Sequence, residues 1–374
     1  MKKLHMVDLI SQAQPIKSEI LSRIEQIIDS ARFIGGEEVN QLSNSLTEYL
    51  NVKHVIPCAN GTDAIQIALM ALGLKPGDEV ICPSFTFVAT AEVISLLNLK
   101  PIFVDVNIDT FNMELNKVED LITERTKAII PVHLFGQLSN MPEIMKFAKQ
   151  HNLFVVEDTA QCIGGSIVEN GFKQYAGTIG DIGTTSFFPS KNLGAYGDGG
   201  AIFTNNDELA GVLKSIVNHG MQKRYYYDRV GVNSRLDAMQ AAILNVKLKH
   251  FDRYIENRQQ AAQFYDNALS GMSQIQVPKR SEFCDHVFHQ YTIRILDGSR
   301  DKLNEYLTSN DIPNMIYYPV PIHQQSPYKD SKILRGGLVN TDILSEQVLS
   351  LPMHTELSED QLNYICQKIK EFYL

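Results

Sequence analysis

The chain is organised around one stretch, TTSFFPSKNLGAYGDGGA, at residues 184–201. It begins with an apolar, strand-like run, reaches Lys191 and continues into a segment with four glycines. A lysine amine forms a Schiff base with an aldehyde once its proton is removed, and burial or a nearby charge favours that removal. The glycines permit positive φ angles and let the backbone approach a bound group closely. A solvated surface lysine beside a hairpin is equally compatible with this sequence. The stretch alone therefore leaves open whether Lys191 is a nucleophile or a surface charge.

A second motif lies upstream of the lysine. Residues 155–161 read VVEDTAQ and place Asp158 at the carboxyl end of a predicted strand. Ligands of open α/β sheets bind at that edge. Enzymes that use pyridoxal phosphate (PLP) need a lysine for the cofactor aldehyde and a carboxylate that keeps the pyridine nitrogen protonated. Asp158 alone also suits a cap after a strand. The order strand–acid, then strand–lysine–glycines, favours a PLP-dependent enzyme.

Composition narrows the class of protein. The 374 residues include 44% hydrophobic and 21% charged residues, as in ordinary globular proteins. A formal charge of −9 argues against a nucleic-acid partner. The five cysteines are widely spaced and form no C-x-x-C pair, which is typical of reduced thiols and predicts no metal site. No apolar run is long enough for a signal peptide or a bilayer span, so we expect a cytoplasmic protein without a membrane segment.

The order of predicted elements indicates an α/β fold. Short apolar strands alternate with helix-length segments from residue 54 onward, which predicts βαβ units and a mostly parallel sheet. Residues 14–50 predict a helical arm that either packs on its own domain or wraps a partner subunit. The segment from Leu236 to Leu269 contains no glycine or proline and predicts one long helix linking two domains. We therefore expect a large domain at 1–250 and a small C-terminal α+β domain at 251–374.

Two further features suit a flat, phosphorylated cofactor. Gly61 and Thr62 open a predicted helix directly after a strand, and helix starts bind anions through free backbone amides. Plain capping by Asn60 or Thr62 is the alternative. Phe87 begins the next predicted helix, where an aromatic ring either stacks on a cofactor or joins the core.

The residues carry a resemblance to a known family. The chain resembles the DegT/DnrJ/EryC1 family of sugar aminotransferases over essentially its full length. The matching motifs are NGTDA at 60–64, EDTAQ at 157–161, SFFPSK at 186–191, GDGG at 197–200 and VNSRLD at 232–237. The resemblance implies the fold-type I PLP-dependent fold of aspartate aminotransferase, whose large domain holds a mixed, mostly parallel seven-stranded sheet.

The same resemblance implies roles for individual residues. Lys191 would bind the cofactor aldehyde, and Asp158 would pair with the pyridinium nitrogen; both are catalytic. Gln161 would lie near the phenolic oxygen, and Phe87 would cover one ring face. The remaining cofactor-binding residues would be Gly61, Thr62, Asp63 and Ser186, with Asn233 reaching the phosphate from the neighbouring subunit of a homodimer. The implied substrate-binding residues are Arg235, Tyr318 and His323.

The implied reaction is transfer of an amino group from glutamate to a nucleotide-linked keto sugar, in amino-sugar biosynthesis for a surface polysaccharide such as O-antigen. Residues 58–63, 184–200 and 219–236 most resemble enzymes that aminate carbon 3, and among them the group acting on a UDP-linked 2-acetamido-3-keto uronic acid. An arginine at position 235 suits a carboxylate, although an ion pair with Asp237 is an alternative. His323 departs from the uronate group. A 3-keto hexose and a 3-keto uronate therefore both remain open.

Three alternative functions remain to be weighed. A PLP-dependent nucleotide-sugar dehydratase would share the fold, but the dehydratases that this chain resembles have a histidine at the position of Lys191. A 4-keto-sugar aminotransferase differs only in the position of the ketone. A non-catalytic regulatory protein is disfavoured by the intact set of Lys191, Asp158, Gln161 and Ser186, and by the lack of a basic helix-turn-helix pattern.

Overall fold

The first part of the chain is a helical arm. In the computed structural model, which describes residues 3–169 and 171–374, the arm consists of α1 (Leu9–Ala13), a 3₁₀ turn (Gln14–Ile16), α2 (Lys17–Ser30) and α3 (Glu37–Leu50). Ala31 and Asn51 adopt left-handed backbone conformations that end α2 and α3.

Strands and helices alternate through the middle of the chain. They are β1 (His54–Cys58), α4 (Gly61–Ala71), β2 (Glu79–Pro83), α5 (Ala89–Leu96), β3 (Lys100–Val104), β4 (Thr126–Ile129), α6 (Met141–His151), β5 (Phe154–Asp158), β6 (Ser166–Glu169), β7 (Phe172–Tyr175), β8 (Ile182–Ser186), β9 (Gly200–Thr204) and α7 (Asp207–Ile216). Short 3₁₀ helices lie at Val118–Leu121 and Leu134–Gly136.

The remaining elements complete the chain. They are β10 (Met221–Lys223), β11 (Tyr226–Tyr227), α8 (Ala238–Leu248), α9 (Phe251–Leu269), β12 (Ile275–Gln276), β13 (Tyr291–Ile295), α10 (Arg300–Ser309), β14 (Lys332–Ile333), α11 (Val339–Gln347), β15 (Val348–Leu351) and α12 (Glu359–Phe372). Two more 3₁₀ helices lie at Ile322–Gln324 and Ser326–Tyr328.

The main sheet confirms the predicted α/β class. Its strand order is β1-β9-β8-β5-β4-β2-β3-β14. Strands β8, β5, β4, β2, β3 and β14 pair in parallel, whereas β9 runs antiparallel to both β8 and β1. Seven of these strands match the prediction, and the eighth, β14, was not predicted. Its two residues pair in parallel with Ile102 and Phe103, and so short a run carries no readable strand pattern.

Helices cover both faces of this sheet. Successive residues of a strand point to opposite faces. In β2, Val80 and Cys82 join the core beneath α4, α5 and α7, while Ile81 joins the core beneath α6. Strands buried on both faces read as continuous apolar runs, which is why the sequence displayed them clearly.

The N-terminal arm packs on its own chain. Ile16 and Ile20 lie against Ile243 and Val246 of α8, and Ile27 joins a small cluster further along α8. Of the two interpretations of the arm, packing on its own domain accounts for its buried face. The opposite side of the arm leaves Ile10, Leu21 and Ile28 exposed.

The prediction of one long helix over 236–269 is wrong in one respect, because the structure divides this segment into α8 and α9. His250 donates its backbone amide to the carbonyl of Lys247 in a tight turn. Helix α8 belongs to a core with α3, whereas the later part of α9 packs with the C-terminal elements. Packing against two different cores breaks the helix without any glycine or proline.

The C-terminal elements form a second core. A three-stranded antiparallel sheet, β12-β13-β15, lies with α9, α10 and α12 around buried residues such as Tyr265, Ile293 and Ile365. None of the helices in the described ranges combines the length and the apolar character that crossing a bilayer requires.

Candidate active site

A cavity of about 830 Å³ lies at the carboxyl ends of the parallel strands. Its volume is typical of a site for a small molecule. It brings together most of the residues that the sequence predicted, namely Gly61, Thr62, Asp63, Phe87, Asp158, Gln161, Ser186, Lys191 and Tyr318. Residues that are far apart in the chain meet here because β5 and β8 end, and α4 begins, at the same edge of the sheet.

Asp158 is the last residue of β5 and is buried. Its Oδ2 accepts a hydrogen bond from Thr90 Oγ1 at 2.9 Å, and its Oδ1 accepts one from the amide of Ala160 at 3.1 Å. Its own amide donates to the carbonyl of Pro131. These bonds fix the carboxylate at the floor of the cavity with room for a further partner on its accepting oxygens.

The neighbouring residue Glu157 anchors the end of β5 from below. Its fully buried carboxylate accepts hydrogen bonds from the amides of Gly177, Ile179 and Gly180. It also accepts one from His133 Nε2 at 3.0 Å, since His133 Nδ1 is occupied in accepting from the Ser139 amide. A buried carboxylate with four donors is satisfied without a catalytic role. Glu157 therefore positions Asp158.

Lys191 lies in the loop after β8, and its side chain lines the cavity. Burial lowers the pKa of its amine from 10.5 to about 8, and the Asp158 carboxylate opposes part of that lowering. No group in the described ranges forms a hydrogen bond or ion pair with Nζ. A lysine in this state loses its proton readily near neutral pH, as a nucleophile or general base requires.

A second buried lysine holds the loop that follows Lys191. Lys247 of α8 donates from Nζ to the carbonyl of Gly194 at 2.6 Å. Its burial lowers the pKa to about 7, and the nearby Arg258 guanidinium adds to the effect. No sequence pattern distinguishes Lys247, because it lies in an otherwise ordinary helix.

The start of α4 lines the same cavity as Lys191. Asn60 caps the helix by accepting from the Asp63 amide at 2.8 Å. The amides of Gly61 and Thr62 donate to no atom of the described chain, so both remain free for a ligand. Gly61 is required here: a Cβ at this position would lie 2.6 Å from Ser186 Cβ. Capping by Asn60 is confirmed, and it leaves the amides of Gly61 and Thr62 available for the predicted anion.

Polar and aromatic side chains line the opposite wall. Gln161 Oε1 accepts from the Phe135 amide at 2.8 Å, and Gln161 Nε2 donates to Tyr318 Oη at 3.3 Å. Phe87 is exposed to the cavity, with its ring centroid 6.5 Å from that of Tyr318. These groups can cover and orient a flat ring above Asp158.

Three predicted site residues lie outside the cavity of this chain. Asn233 and Arg235 are exposed, and Arg235 Nη1 makes a long contact of 3.4 Å with Asn218 Oδ1. The alternative ion pair between Arg235 and Asp237 is not formed. His323 instead contacts Ser84 Oγ through Nδ1 at 2.8 Å and Asp342 through Nε2 at 3.6 Å.

Sequence reasoning missed two polar residues of the cavity wall, His289 and Gln290. They directly follow Phe288, whose φ of +45° is left-handed, and they precede β13, which begins at Tyr291. No periodic pattern or motif marks them. Only the presence of two adjacent polar side chains before the apolar strand β13 hinted at an unusual position.

The cavity fits pyridoxal phosphate. Gly61, Thr62 and Ser186 would hold its phosphate, Asp158 would pair with its ring nitrogen, and Lys191 would bind its aldehyde carbon. Within residues 3–169 and 171–374, no group of three or more His, Cys, Asp or Glu side chains is arranged to hold a metal ion. The fold and this site define a fold-type I PLP-dependent enzyme.

Comparison with known proteins agrees with this class. The chain belongs to the DegT/DnrJ/EryC1/StrS aminotransferase family, whose model matches residues 14–370. Two solved structures resemble it closely. An aminotransferase of this family from Brucella abortus has a TM-score of 0.94 at 40% identity, covering 99% of each chain. NtdA from Bacillus subtilis, solved with bound cofactor PMP, has a TM-score of 0.91 at 32% identity, covering 99% of this chain and 85% of that one.

Curated relatives carry different names. A pleiotropic regulatory protein of Geobacillus stearothermophilus is 46% identical over 98% of each chain. A UDP-N-acetyl-3-dehydro-α-D-glucosamine 3-aminotransferase of Acidithiobacillus ferrooxidans is 44% identical over 98% of this chain and 96% of its own. A UDP-2-acetamido-2-deoxy-3-oxo-D-glucuronate aminotransferase of Pseudomonas aeruginosa is 42% identical over 97% of this chain and 98% of its own. As a member of this family, the chain is a PLP-dependent aminotransferase.

Proposed function

We propose that this enzyme transfers the amino group of glutamate to carbon 3 of a nucleotide-linked 3-keto sugar, a hexose or a uronate. One observation carries the proposal: Lys191 and Asp158 line the same cavity of about 830 Å³, which has room for a cofactor and a sugar. The names of two relatives that are 44% and 42% identical support the choice of carbon 3.

Each site residue has a physical task in this reaction. When bound, pyridoxal phosphate supplies the aldehyde that carries the amino group and a ring that accepts electron density. Lys191 takes up and returns a proton at Nζ, for which a pKa of about 8 is well matched to neutral pH. Asp158 would pair with the ring nitrogen, and the free amides of Gly61 and Thr62 would bind the phosphate.

A panel of substrates tests the proposal. The purified enzyme is incubated with glutamate and UDP- or dTDP-linked 3-keto hexose, 3-keto uronate and 4-keto hexose, and the products are read by mass spectrometry. We expect an amino sugar from a 3-keto substrate and none with Lys191→Ala. Amination of the 4-keto sugar alone would move the reaction to carbon 4. Loss of water without amination would indicate a dehydratase.

A regulatory function is the second candidate, because a relative that is 46% identical carries the name of a pleiotropic regulatory protein. The complete set of Lys191, Asp158 and Gln161 in the cavity favours catalysis instead. Absence of turnover on the whole panel, in protein that retains its bound cofactor, would favour the regulatory alternative.

We propose that the active unit is a homodimer with active sites at the subunit interface. Asn233 and Arg235 lie outside the cavity of their own chain and are exposed, so they are free to reach the site of a partner. Asn233 would approach the phosphate, and Arg235 and His323 would contact the sugar. The exposed apolar side chains Ile10, Leu21 and Ile28 of the arm are available to contact the partner.

Mixing of inactive variants tests this arrangement. Lys191→Ala and Asn233→Ala proteins are unfolded together, refolded and assayed. If Asn233 acts across the interface, each mixed dimer regains one intact site, and total activity returns to about a quarter of the wild-type value. If Asn233 acts within its own chain, the mixed dimers have no intact site and activity stays at the level of the parents.

The remaining assignments also belong to this proposal. We assign a large PLP-binding domain with its helical arm to residues 1–250 and a small α+β domain to 251–374. The cytoplasm is the compartment that supplies nucleotide sugars and glutamate. The amino sugar would enter a surface polysaccharide such as O-antigen.

A further inference from the structure

Two adjacent polar side chains on the cavity wall have unused hydrogen-bonding capacity. His289 and Gln290 are only 4% and 8% exposed, and both line the cavity. Across the described ranges, no group bonds to His289 Nε2 or to the side-chain amide of Gln290. Neither side chain is among those whose unpaired polar atoms are sealed from solvent, so these atoms open into the cavity. Buried polar groups normally have partners, so these atoms are available to a ligand in the cavity.

The hydrogen atom of His289 can be assigned from its surroundings. Asn192 Nδ2 donates to the carbonyl of Val287 at 2.9 Å, so Asn192 Oδ1 is the atom that faces His289. His289 Nδ1 lies 3.3 Å from that oxygen and must donate to it. The proton of the neutral ring is therefore on Nδ1, and Nε2 offers a lone pair to the cavity.

His289 stays uncharged. Its burial, together with the positive charges of Lys191 and Arg258, lowers its pKa well below 6.5. The ring therefore accepts a hydrogen bond at Nε2 and offers no positive charge. Lys191 and His289 line the same cavity, although no hydrogen bond joins them.

We propose that His289 and Gln290 form a subsite that binds a hydroxyl group of the keto sugar, with His289 Nε2 accepting from the hydroxyl and the Gln290 amide donating to it. This proposal rests on the function proposed above and adds a recognition element on the wall next to Lys191. A hydroxyl is both donor and acceptor, as this pair requires. A carboxylate only accepts and would leave the lone pair of His289 facing a negative oxygen, so the subsite selects against a carboxylate at this place.

Two substitutions separate the subsite from a merely structural role. His289→Asn keeps a donor at the position of Nδ1, and therefore the bond to Asn192, but removes the acceptor at the position of Nε2. His289→Gln does the reverse, since its longer amide reaches the position of Nε2. A structural role through Asn192 predicts damage in the Gln variant, whereas the subsite predicts damage in the Asn variant.

The two half-reactions provide the readout. Each variant is loaded with pyridoxal phosphate, and the cofactor absorbance is followed in single turnovers, first with glutamate and then with UDP-linked 2-acetamido-3-keto-glucose. We expect His289→Asn and Gln290→Leu to weaken the apparent affinity for the sugar by about 10-fold or more, because a buried group is left unpaired. The half-reaction with glutamate should change less than about threefold in the same proteins, and His289→Gln should retain most of the sugar affinity.

Deoxy analogues identify the hydroxyl. The 4-deoxy and 6-deoxy forms of the same UDP-linked keto sugar are tested against wild-type enzyme and His289→Asn. One analogue should lose affinity for the wild-type enzyme, and that loss should vanish in the variant. Equal losses in both proteins for every analogue, or an unchanged sugar half-reaction in His289→Asn, would overturn the subsite. Failure of the wild-type enzyme to aminate any keto sugar would instead refute the proposed function and the subsite with it.

Discussion

The reactivity of Lys191 follows from its pKa. With a pKa of about 8, roughly one molecule in eleven carries a neutral amine at pH 7, whereas the ordinary value of 10.5 leaves about one in 3,000. Burial therefore raises the neutral fraction about 300-fold. Asp158 acts in the opposite direction, because its negative charge stabilises the protonated amine. Replacing Asp158 by Asn should lower the pKa of Lys191 below 8 and raise its reactivity at pH 7 by at most about 10-fold.

The Asp158→Asn protein should fold normally. The Asn Oδ1 atom can accept from the Ala160 amide, and Nδ2 can donate to Thr90 Oγ1, so both side-chain contacts of Asp158 survive the change. The variant thus removes the charge and leaves the shape of the cavity floor intact. The same variant should lose transamination, since a neutral amide cannot keep the pyridine nitrogen protonated.

Reductive methylation of the cofactor-free protein measures the amine directly. Formaldehyde and cyanoborohydride are applied between pH 6 and 10, and peptide mapping gives the rate at Lys191, with the exposed Lys75 as internal reference. We expect the wild-type rate to be half-maximal near pH 8 and the Asp158→Asn rate at a lower pH. A wild-type midpoint above pH 9.5 would refute the argument from burial. A higher midpoint in the Asp158→Asn protein than in the wild type would refute the electrostatic effect of Asp158 on Lys191.

Two further predictions concern the frame around the site. Gly61→Ala places a Cβ 2.6 Å from Ser186 Cβ. We expect it to lower the free energy of unfolding in urea by about 1–3 kcal/mol and to weaken PLP binding in equilibrium dialysis. The control Gly211→Ala, which lies in open space on α7, should instead raise the free energy of unfolding by about 0.5–1 kcal/mol. The pKa of Lys247 is about 7 in the folded chain, below its unfolded value, so the unfolded state binds more protons and stability should rise between pH 7 and 10. Lys247→Met should show a smaller rise in urea midpoint over that range, and an unchanged rise would contradict the burial of its charge.

Much of the fold was readable because its strands are buried on both faces. Strands such as β2 and β5 are continuous apolar runs that end in Pro83 and Asp158, and the helices between them follow capping residues such as Asn60. These signals are local in sequence. Lys191 and Asp158 were identifiable because each follows such a strand, and parallel strands end at one edge of a sheet.

The features that the sequence did not reveal depend on tertiary packing. The break between α8 and α9 arises where the chain passes from one core to another, and no residue at the break disfavours a helix. His289 and Gln290 follow Phe288, whose left-handed backbone conformation no sequence pattern predicts. Asn233 and Arg235 belong to a sequence motif, but the structure places both outside the cavity of their own chain.

The two-residue strand β14 has a consequence for any attempt to dissect the protein. It comes from the C-terminal part of the chain and lies along β3, at the border of the main sheet. A fragment ending at residue 250 would leave β3 as an unpaired edge strand, and exposed edge strands pair with strands of other molecules. Such a fragment should therefore precipitate, and it would also lack Ile322, Tyr328 and Leu338 of the core beneath α4 and α5.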